Sequence, residues 1–217
     1  MGREFVEIFD EWIDSYDESV SGKDEEYREV FAGYDTILQK VADAAQGLTV
    51  EFGVGTGNLT EKLLKKGIKV VGIEPNAAMR AHTKQRFPEL QIEDGDFTSF
   101  PLPEEPVQTL VSTYAFHHLT DEEKKEAVLY YRKVLSEDGQ VVFADTMFEN
   151  DIARKKQWEK VEAQGYINLL EDLKREYYTT KPIMEALFQE AGFTVSFTQL
   201  NDYVWLIHAK KAEDFTG

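Results

Sequence analysis

The chain has 217 residues, 42% of them hydrophobic, and a formal net charge of −17 at pH 7. This length suits one hydrophobic core, so we expect a single domain over residues 1–217. An acidic surface of this kind repels a phosphate backbone, which argues against a nucleic-acid partner. The chain has no cysteine and no run of about 20 apolar residues. We therefore expect a soluble cytoplasmic protein without disulfides or thiolate metal sites.

The amino-terminal segment carries an apolar stripe at helical spacing. The stripe predicts a helix that packs its apolar face on the core. Its members are Phe5, Phe9, Trp12, Ile13 and Tyr16.

Short apolar runs rich in β-forming residues then alternate with helical patterns. Strands that alternate with helices predict a parallel sheet covered by helices. The predicted strands are residues 48–52, 69–73, 90–93, 110–113 with some upstream extension, and 141–144.

The helix after the fourth predicted strand has the clearest start, because Thr120 and Glu123 match a capping box. We expect Gly139 to end this unit before the fifth strand. Residues 148–180 are charged and helical in pattern, and they are longer than a simple crossover needs. This stretch predicts an inserted helical cover.

The carboxyl-terminal part predicts one helix and two strands. Pro182 is expected to open the helix, which ends near Gly192. Two apolar runs, 193–197 and 203–209, follow with only a polar turn between them. Two consecutive strands without an intervening helix predict an antiparallel pair at the end of the sheet.

A glycine-rich motif lies where the first strand should turn into a helix. Residues 51–60 contain Gly53, Gly55 and Gly57, and glycines there let a backbone approach a ligand closely. A dinucleotide fingerprint would place its last glycine where this chain has Asn58. The carboxylate of Glu51 at the strand end suits a cationic ligand better than a pyrophosphate. The alternative is a tight turn with no ligand.

Two further acids follow the next two strands. Glu74 ends the second strand, where a carboxylate can accept hydrogen bonds from both hydroxyls of a ribose. Asp96 follows the third strand and can accept from an adenine amino group, while Phe97 offers an aromatic face to the ring. A solvated acid and an ordinary Asx turn are the alternatives for these positions.

The ordered series of glycine loop and two acids resembles class I S-adenosylmethionine-dependent methyltransferases. The resemblance covers nearly the whole chain and looks closest to the YrrT-like bacterial methyltransferases. It is carried by residues 9–17, 51–60, 112–120 and 143–146. It implies an α/β Rossmann-like three-layer sandwich with a seven-stranded sheet in the order 3-2-1-4-5-7-6, in which only strand 7 is antiparallel. It also implies S-adenosylmethionine as cofactor and S-adenosylhomocysteine as product.

The resemblance also assigns roles to individual residues. The amino-terminal segment would be a lid, with Tyr16 closing over the cofactor, although simple packing is the alternative. Ser112 and Thr113 would line the methyl-transfer site. Methyltransferases acting on amide or exocyclic amino nitrogens usually have Asn/Asp-Pro-Pro-aromatic at this place, so such acceptors are disfavoured. The implied cofactor contacts are Gly53, Gly55 and Gly57 for the methionine part, Glu74 for the ribose and Asp96 for the adenine.

Two histidines, His117 and His118, follow in the same loop. A histidine there could take the acceptor's proton as a general base, and His117 is the first choice. The alternative is that both only orient the loop. His82 and His208 are expected to be structural. The proposed reaction requires no metal, and with so few histidines and no cysteine we expect no transition-metal site, although the carboxylates leave magnesium binding open.

The function predicted from these features is methyl transfer to a small-molecule acceptor by in-line displacement. Two other functions fit parts of the pattern. A noncatalytic S-adenosylmethionine-binding protein would keep the glycine loop and both acids. A nicotinamide-dependent oxidoreductase would also need a glycine loop, but Asn58 and Glu51 argue against it.

Overall fold

The computed structural model describes residue 20 and residues 22–212. The predicted amino-terminal helix, including Tyr16, therefore lies outside the described residues. Seven strands are present there: β1 (Leu48–Phe52), β2 (Lys69–Ile73), β3 (Gln91–Glu93), β4 (Val107–Thr113), β5 (Leu135–Thr146), β6 (Phe193–Gln199) and β7 (Val204–Lys211).

The same part of the chain contains seven α-helices and one short 3-10 helix, Phe116–His118. The α-helices are α1 (Tyr34–Ala44), α2 (Asn58–Lys65), α3 (Ala77–Arg86), α4 (Asp121–Val134), α5 (Asp151–Gln164), α6 (Ile167–Arg175) and α7 (Lys181–Glu190).

All seven strands form one sheet in the order β3-β2-β1-β4-β5-β7-β6. Strand β7 runs antiparallel to both of its neighbours, and the other pairs are parallel. The predicted order and the antiparallel terminal pair are confirmed. Because β1, β2 and β4 are parallel neighbours, their carboxyl ends meet at one edge of the sheet. The predicted site residues of the described chain lie at or just after these ends and the end of β3.

Apolar side chains on successive residues of the central strands point to opposite faces of the sheet. In β5, Val141 and Phe143 join one core cluster, whereas Val142 and Ala144 join the other. Helices cover both clusters, which include Tyr131 of α4 on one face and Leu38 of α1 on the other. Burying a large apolar side chain contributes about 1.5 to 3 kcal/mol, so the clusters on both faces stabilise the sheet.

Local signals in the sequence located most elements. Strands β1 and β2 have the predicted bounds. The capping box at the start of α4 is present, with the side chains of Thr120 and Glu123 each bound to the other's backbone N–H. Helices α5 and α6 form the predicted cover, and Pro182 lies in the first turn of α7.

The start of β5 differs from the prediction. Helix α4 ends at Val134 and β5 begins at the next residue, so Gly139 lies inside the strand rather than ahead of it. The reason is an irregular pairing with β4: Leu135 pairs with Val107, and the register shifts before Thr109 pairs with Gln140.

None of the described helices combines the length and the apolar composition needed to cross a membrane.

Candidate active site

The glycine motif forms the loop between β1 and α2. Gly53, Gly55 and Gly57 all have positive φ, at 65°, 55° and 85°, in a region that residues with a side chain rarely adopt. At Gly57 a Cβ would also lie 2.7 Å from the ring of Phe87. Both constraints explain why the loop needs glycine.

Glu74 at the end of β2 holds this loop in place. Its Oε2 accepts a hydrogen bond from the backbone N–H of Gly55 at 3.0 Å, and its Oε1 accepts from the N–H of Asn76 at 2.9 Å. Burial raises the pKa of Glu74, and these hydrogen bonds oppose that rise. Each carboxylate oxygen has a second lone pair, so the group can still accept from a ligand's hydroxyls. The structure thus brings together the glycine loop and the predicted ribose acid.

Glu51 is the most deeply buried of the three acids, at 1% exposure. Its Oε2 accepts a hydrogen bond from the hydroxyl of Thr60 in α2 at 2.6 Å. Burial raises the pKa of Glu51 to about 8. A carboxyl group in this state holds a proton near neutral pH, and a nearby cation would favour its release.

Asp96 and Phe97 lie in the turn after β3. Asp96 Oδ1 accepts from the N–H groups of Thr98 and Ser99 at 3.0 and 2.9 Å, which is an Asx turn. The ring of Phe97 is 5.1 Å from that of Phe52 and belongs to the aromatic core. The structure therefore gives Phe97 a packing role, and its adenine contact stays a prediction.

The end of β4 supplies the third side of the site. Ser112 is 1% exposed and its hydroxyl donates to the carbonyl of Phe52 at 3.1 Å, so it fastens β4 to β1. Thr113 is the last residue of β4 and is half-buried. Tyr114 follows with φ of 53°, the one non-glycine residue with positive φ in the described chain. Such strain in a bulky residue is typical of functional sites.

His117 lies between two carboxylates beside this edge. Its Nδ1 is 2.5 Å from Asp145 Oδ1 at the end of β5, and its Nε2 is 3.1 Å from Glu176 Oε2. Burial lowers the pKa of His117, but the two carboxylates outweigh burial and raise it to about 10. A general base needs a nitrogen lone pair that faces the acceptor. With both nitrogens directed at carboxylates, this geometry argues against the predicted base role.

The chain's other three histidines are His118, His208 and His82. His118 is adjacent to His117, with ring centroids 4.3 Å apart, and burial lowers the pKa of His118 to about 3. His208 in β7 contacts the side-chain oxygen of Gln140 at 2.8 Å. His82 is exposed on α3. Neither His208 nor His82 lies in the group formed by His117, His118 and Glu176.

Comparisons with known proteins identify the family. A family model described as a methyltransferase domain matches residues 50–139, from β1 to the start of β5. An uncharacterized methyltransferase of Anoxybacillus flavithermus is 53% identical over 211 residues, covering 97% of this chain and 100% of that protein. One of Geobacillus thermodenitrificans is also 53% identical, covering 97% and 99%. The chain belongs to this methyltransferase family.

Solved structures share the fold of this methyltransferase at low sequence identity. Magnesium protoporphyrin IX methyltransferase from Synechocystis PCC 6803 with bound SAH aligns with a TM-score of 0.67 at 14% identity, covering 93% of this chain and 97% of that one. The YcgJ protein from Bacillus subtilis aligns with a TM-score of 0.64 at 16% identity, covering 82% and 99%.

Three residues of the candidate site had no assigned role in the sequence interpretation. Asp145 belongs to the 143–146 segment that carried the resemblance, and its position at the end of β5 was the available signal. Glu176 follows α6, and Tyr178 donates a hydrogen bond to it at 2.7 Å. Both lie in a charged, aromatic stretch with no spacing that singles them out, so only the fold brings them to His117.

Proposed function

We propose that this methyltransferase transfers the methyl group of S-adenosylmethionine to a small-molecule acceptor. The observation that carries the proposal is the hydrogen bond from the backbone N–H of Gly55 to the carboxylate of Glu74. It places a carboxylate beside a glycine loop at the carboxyl edge of the sheet. Family membership and the shared fold add support. In this proposal Gly53, Gly55 and Gly57 follow the methionine part of the cofactor, and Glu74 accepts from the ribose.

The remaining cofactor contacts follow the order of the strands. Asp96 accepts from the adenine amino group through its carboxylate, while the Asx turn keeps the loop in shape. Glu51 lies near the end of β1, just ahead of the glycine loop. Once its carboxyl group is ionised, it stabilises the cationic groups of the methionine part electrostatically. Ser112 and Thr113 lie at the edge where the acceptor meets the cofactor.

The proposed reaction is an in-line displacement. A lone pair of the acceptor forms a bond to the methyl carbon, the carbon–sulfur bond breaks, and its electron pair stays on sulfur to give neutral S-adenosylhomocysteine. The acceptor's proton leaves to solvent or to a basic group of the acceptor. The protein's contribution is to align the two reactants and to exclude water. His117 is poorly placed to take this proton, because both of its ring nitrogens face carboxylates.

A small acceptor fits two features of the chain. Helices α5 and α6 cover the side of the sheet edge where β5 ends, since Val161, Leu169 and Leu173 pack in the same core cluster as Ala144 and Phe148. A cover of this kind restricts the size of what can approach. The net charge of −17 disfavours polyanionic acceptors.

Ligand-induced thermal stabilisation tests the cofactor proposal. S-adenosylhomocysteine at 100 times its Kd should raise the free energy of unfolding by about 2.7 kcal/mol. NADH under the same conditions should have no effect. Stabilisation by NADH and not by S-adenosylhomocysteine would overturn the assignment.

A turnover assay then separates an enzyme from a protein that only binds the cofactor. Incubation with S-adenosylmethionine and a pool of cell metabolites should yield S-adenosylhomocysteine and a methylated small molecule. If the cofactor binds but neither product forms with any acceptor fraction, the noncatalytic alternative is favoured.

A further inference from the structure

We propose that His117, His118 and Glu176 form a binding site for a divalent transition-metal ion, with zinc as the expected ion. We call these three residues the His–Glu cluster. One ligand atom from each of them lies within 4.8 Å of the other two. The proposal concerns metal binding alone and does not depend on the identity of the cofactor or the acceptor.

The spacing within the His–Glu cluster is close to that of a metal site. Zinc binds imidazole nitrogen and carboxylate oxygen at about 2.0 to 2.2 Å, so two ligand atoms of a tetrahedral site lie roughly 3.4 Å apart. His117 Nε2 and Glu176 Oε2 are 3.1 Å apart. The remaining separations must shorten from at most 4.8 Å, which small side-chain rotations of His118 and Glu176 can achieve.

The residues around the His–Glu cluster resemble the outer shell of a metal site. A metal-binding histidine usually donates its other ring N–H to a carboxylate, which fixes the ring orientation. Asp145 has this position, since its Oδ1 is 2.5 Å from His117 Nδ1. Asp145 Oδ2 also accepts the backbone N–H of His117 at 3.0 Å. His117 Nε2 is thereby turned toward Glu176, and an ion bound between these two atoms would replace the proton on Nε2, which is released to solvent.

Glu176 is held in a similar way. The hydroxyl of Tyr178 donates to its Oε2 at 2.7 Å, and the ring of Tyr178 stacks on His117 with centroids 4.7 Å apart. The backbone N–H of Tyr177 donates to the carbonyl of His117 at 3.1 Å. The two chain segments that supply the ligands are thus joined directly by a main-chain hydrogen bond.

A buried lysine reinforces this connection. Lys124 in α4 donates through Nζ to the carbonyls of Leu119 and Tyr177, one on each segment. The side chains of His117 and Glu176 are 9% and 11% exposed. The two segments that carry His117 and Glu176 are therefore held together before an ion arrives, so that only small side-chain rotations remain to be ordered.

The set of ligands selects the class of metal. Two imidazoles and one carboxylate suit zinc and its neighbours in the first transition series rather than magnesium or calcium, which prefer oxygen. Three protein ligands leave one coordination position for water or another small ligand. The negative charges of Asp145 and Glu176 balance a divalent cation in a buried place.

Metal titration of the full chain tests the site. After dialysis against a chelator, Co²⁺ should bind with 1:1 stoichiometry and give the visible absorption of a four-coordinate nitrogen–oxygen site, and Zn²⁺ should displace it. His118→Gln should weaken binding more than tenfold. Asp145→Asn, which changes only the outer shell, should weaken it by about 10- to 100-fold.

The matched control is His82→Gln, because His82 is exposed on α3 and distant in sequence from the cluster. This variant should bind Co²⁺ like the parent. Glu176→Gln is the second ligand variant, and its melting temperature shows whether it still folds. The proposal is wrong if the parent binds no stoichiometric Co²⁺ or Zn²⁺, or if His118→Gln binds as tightly as the parent. Methyl transfer is not measured, so either result leaves the proposed function to its own test.

Discussion

Replacing Glu74 by glutamine is the sharpest perturbation of the proposed cofactor site. The carboxylate accepts from Gly55 at 3.0 Å and from Asn76 at 2.9 Å, and we propose that each oxygen also accepts one ribose hydroxyl. A glutamine side chain has the same shape but replaces one oxygen with an NH2 group. One backbone N–H would then face a donor, and one ribose hydroxyl would lose its charged acceptor.

The expected loss of affinity follows from these contacts. A hydrogen bond to a charged group contributes about 1.5 to 3 kcal/mol, and part of it survives through the remaining oxygen. We therefore expect Glu74→Gln to weaken S-adenosylhomocysteine binding by about 1 to 3 kcal/mol, or roughly 5- to 150-fold in Kd. Isothermal titration calorimetry measures this directly. Glu89→Gln, which removes an exposed acid after α3, is the control and should leave Kd unchanged.

The thermal unfolding of the ligand-free variant separates loop damage from lost ribose contacts. A modest fall in melting temperature is expected, because one of the two backbone hydrogen bonds, from Gly55 or from Asn76, is lost. If Glu74→Gln binds S-adenosylhomocysteine as tightly as the parent, the ribose is held elsewhere and the assignment of Glu74 fails.

Three other predictions address Glu51, Asp96 and the amino-terminal segment. The pKa of Glu51 rises from 4.5 to about 8 on folding, so its contribution to stability is complete below pH 4.5 and is lost as the pH rises through 8. The free energy of unfolding in urea should show this decline with pH in the parent but not in Glu51→Gln. Parallel pH profiles for the two proteins would refute the raised pKa of Glu51. Asp96→Asn keeps Oδ1 for the Asx turn, so this variant should melt like the parent. It should discriminate less between S-adenosylhomocysteine and its inosine analogue. If its discrimination is undiminished, Asp96 does not bind the adenine. If residues 1–19, which include Tyr16, form a lid, their removal should lower the rate of methyl transfer by a larger factor than it lowers the affinity for the cofactor. A truncated protein of parental stability and activity would eliminate the lid, and one with a large loss of stability would favour packing.

Most individual strands and helices were predictable because their signals are local, whereas the order of the strands in the sheet came from the family resemblance. The bounds of β1 and β2 follow from short apolar runs that end in an acid or a glycine loop, and α4 from the capping box at Thr120. The error at Gly139 arose because glycine usually ends a helical unit, whereas here the irregular pairing of Leu135 with Val107 starts the strand earlier. Pairing between strands is a tertiary property that no local pattern encodes.

The site was predictable to the extent that strand ends determine it. Glu74 meets the glycine loop because parallel neighbours end at the same edge. The contact of His117 with Glu176 depends on how the helical cover returns to the sheet after α6, and 58 residues separate the two in the chain. The sequence made His117 the first choice for a general base, with orientation of the loop as the alternative. The two carboxylate partners of His117, which decide its chemistry, became visible only in the fold.

The structure of the chain with bound S-adenosylhomocysteine tests the central claim most directly. The account predicts that both ribose hydroxyls lie within hydrogen-bonding distance of the Glu74 carboxylate and that the methionine part follows Gly53, Gly55 and Gly57. A ligand whose ribose lies away from Glu74, or which binds outside the carboxyl edge of β1, β2 and β4, would contradict it.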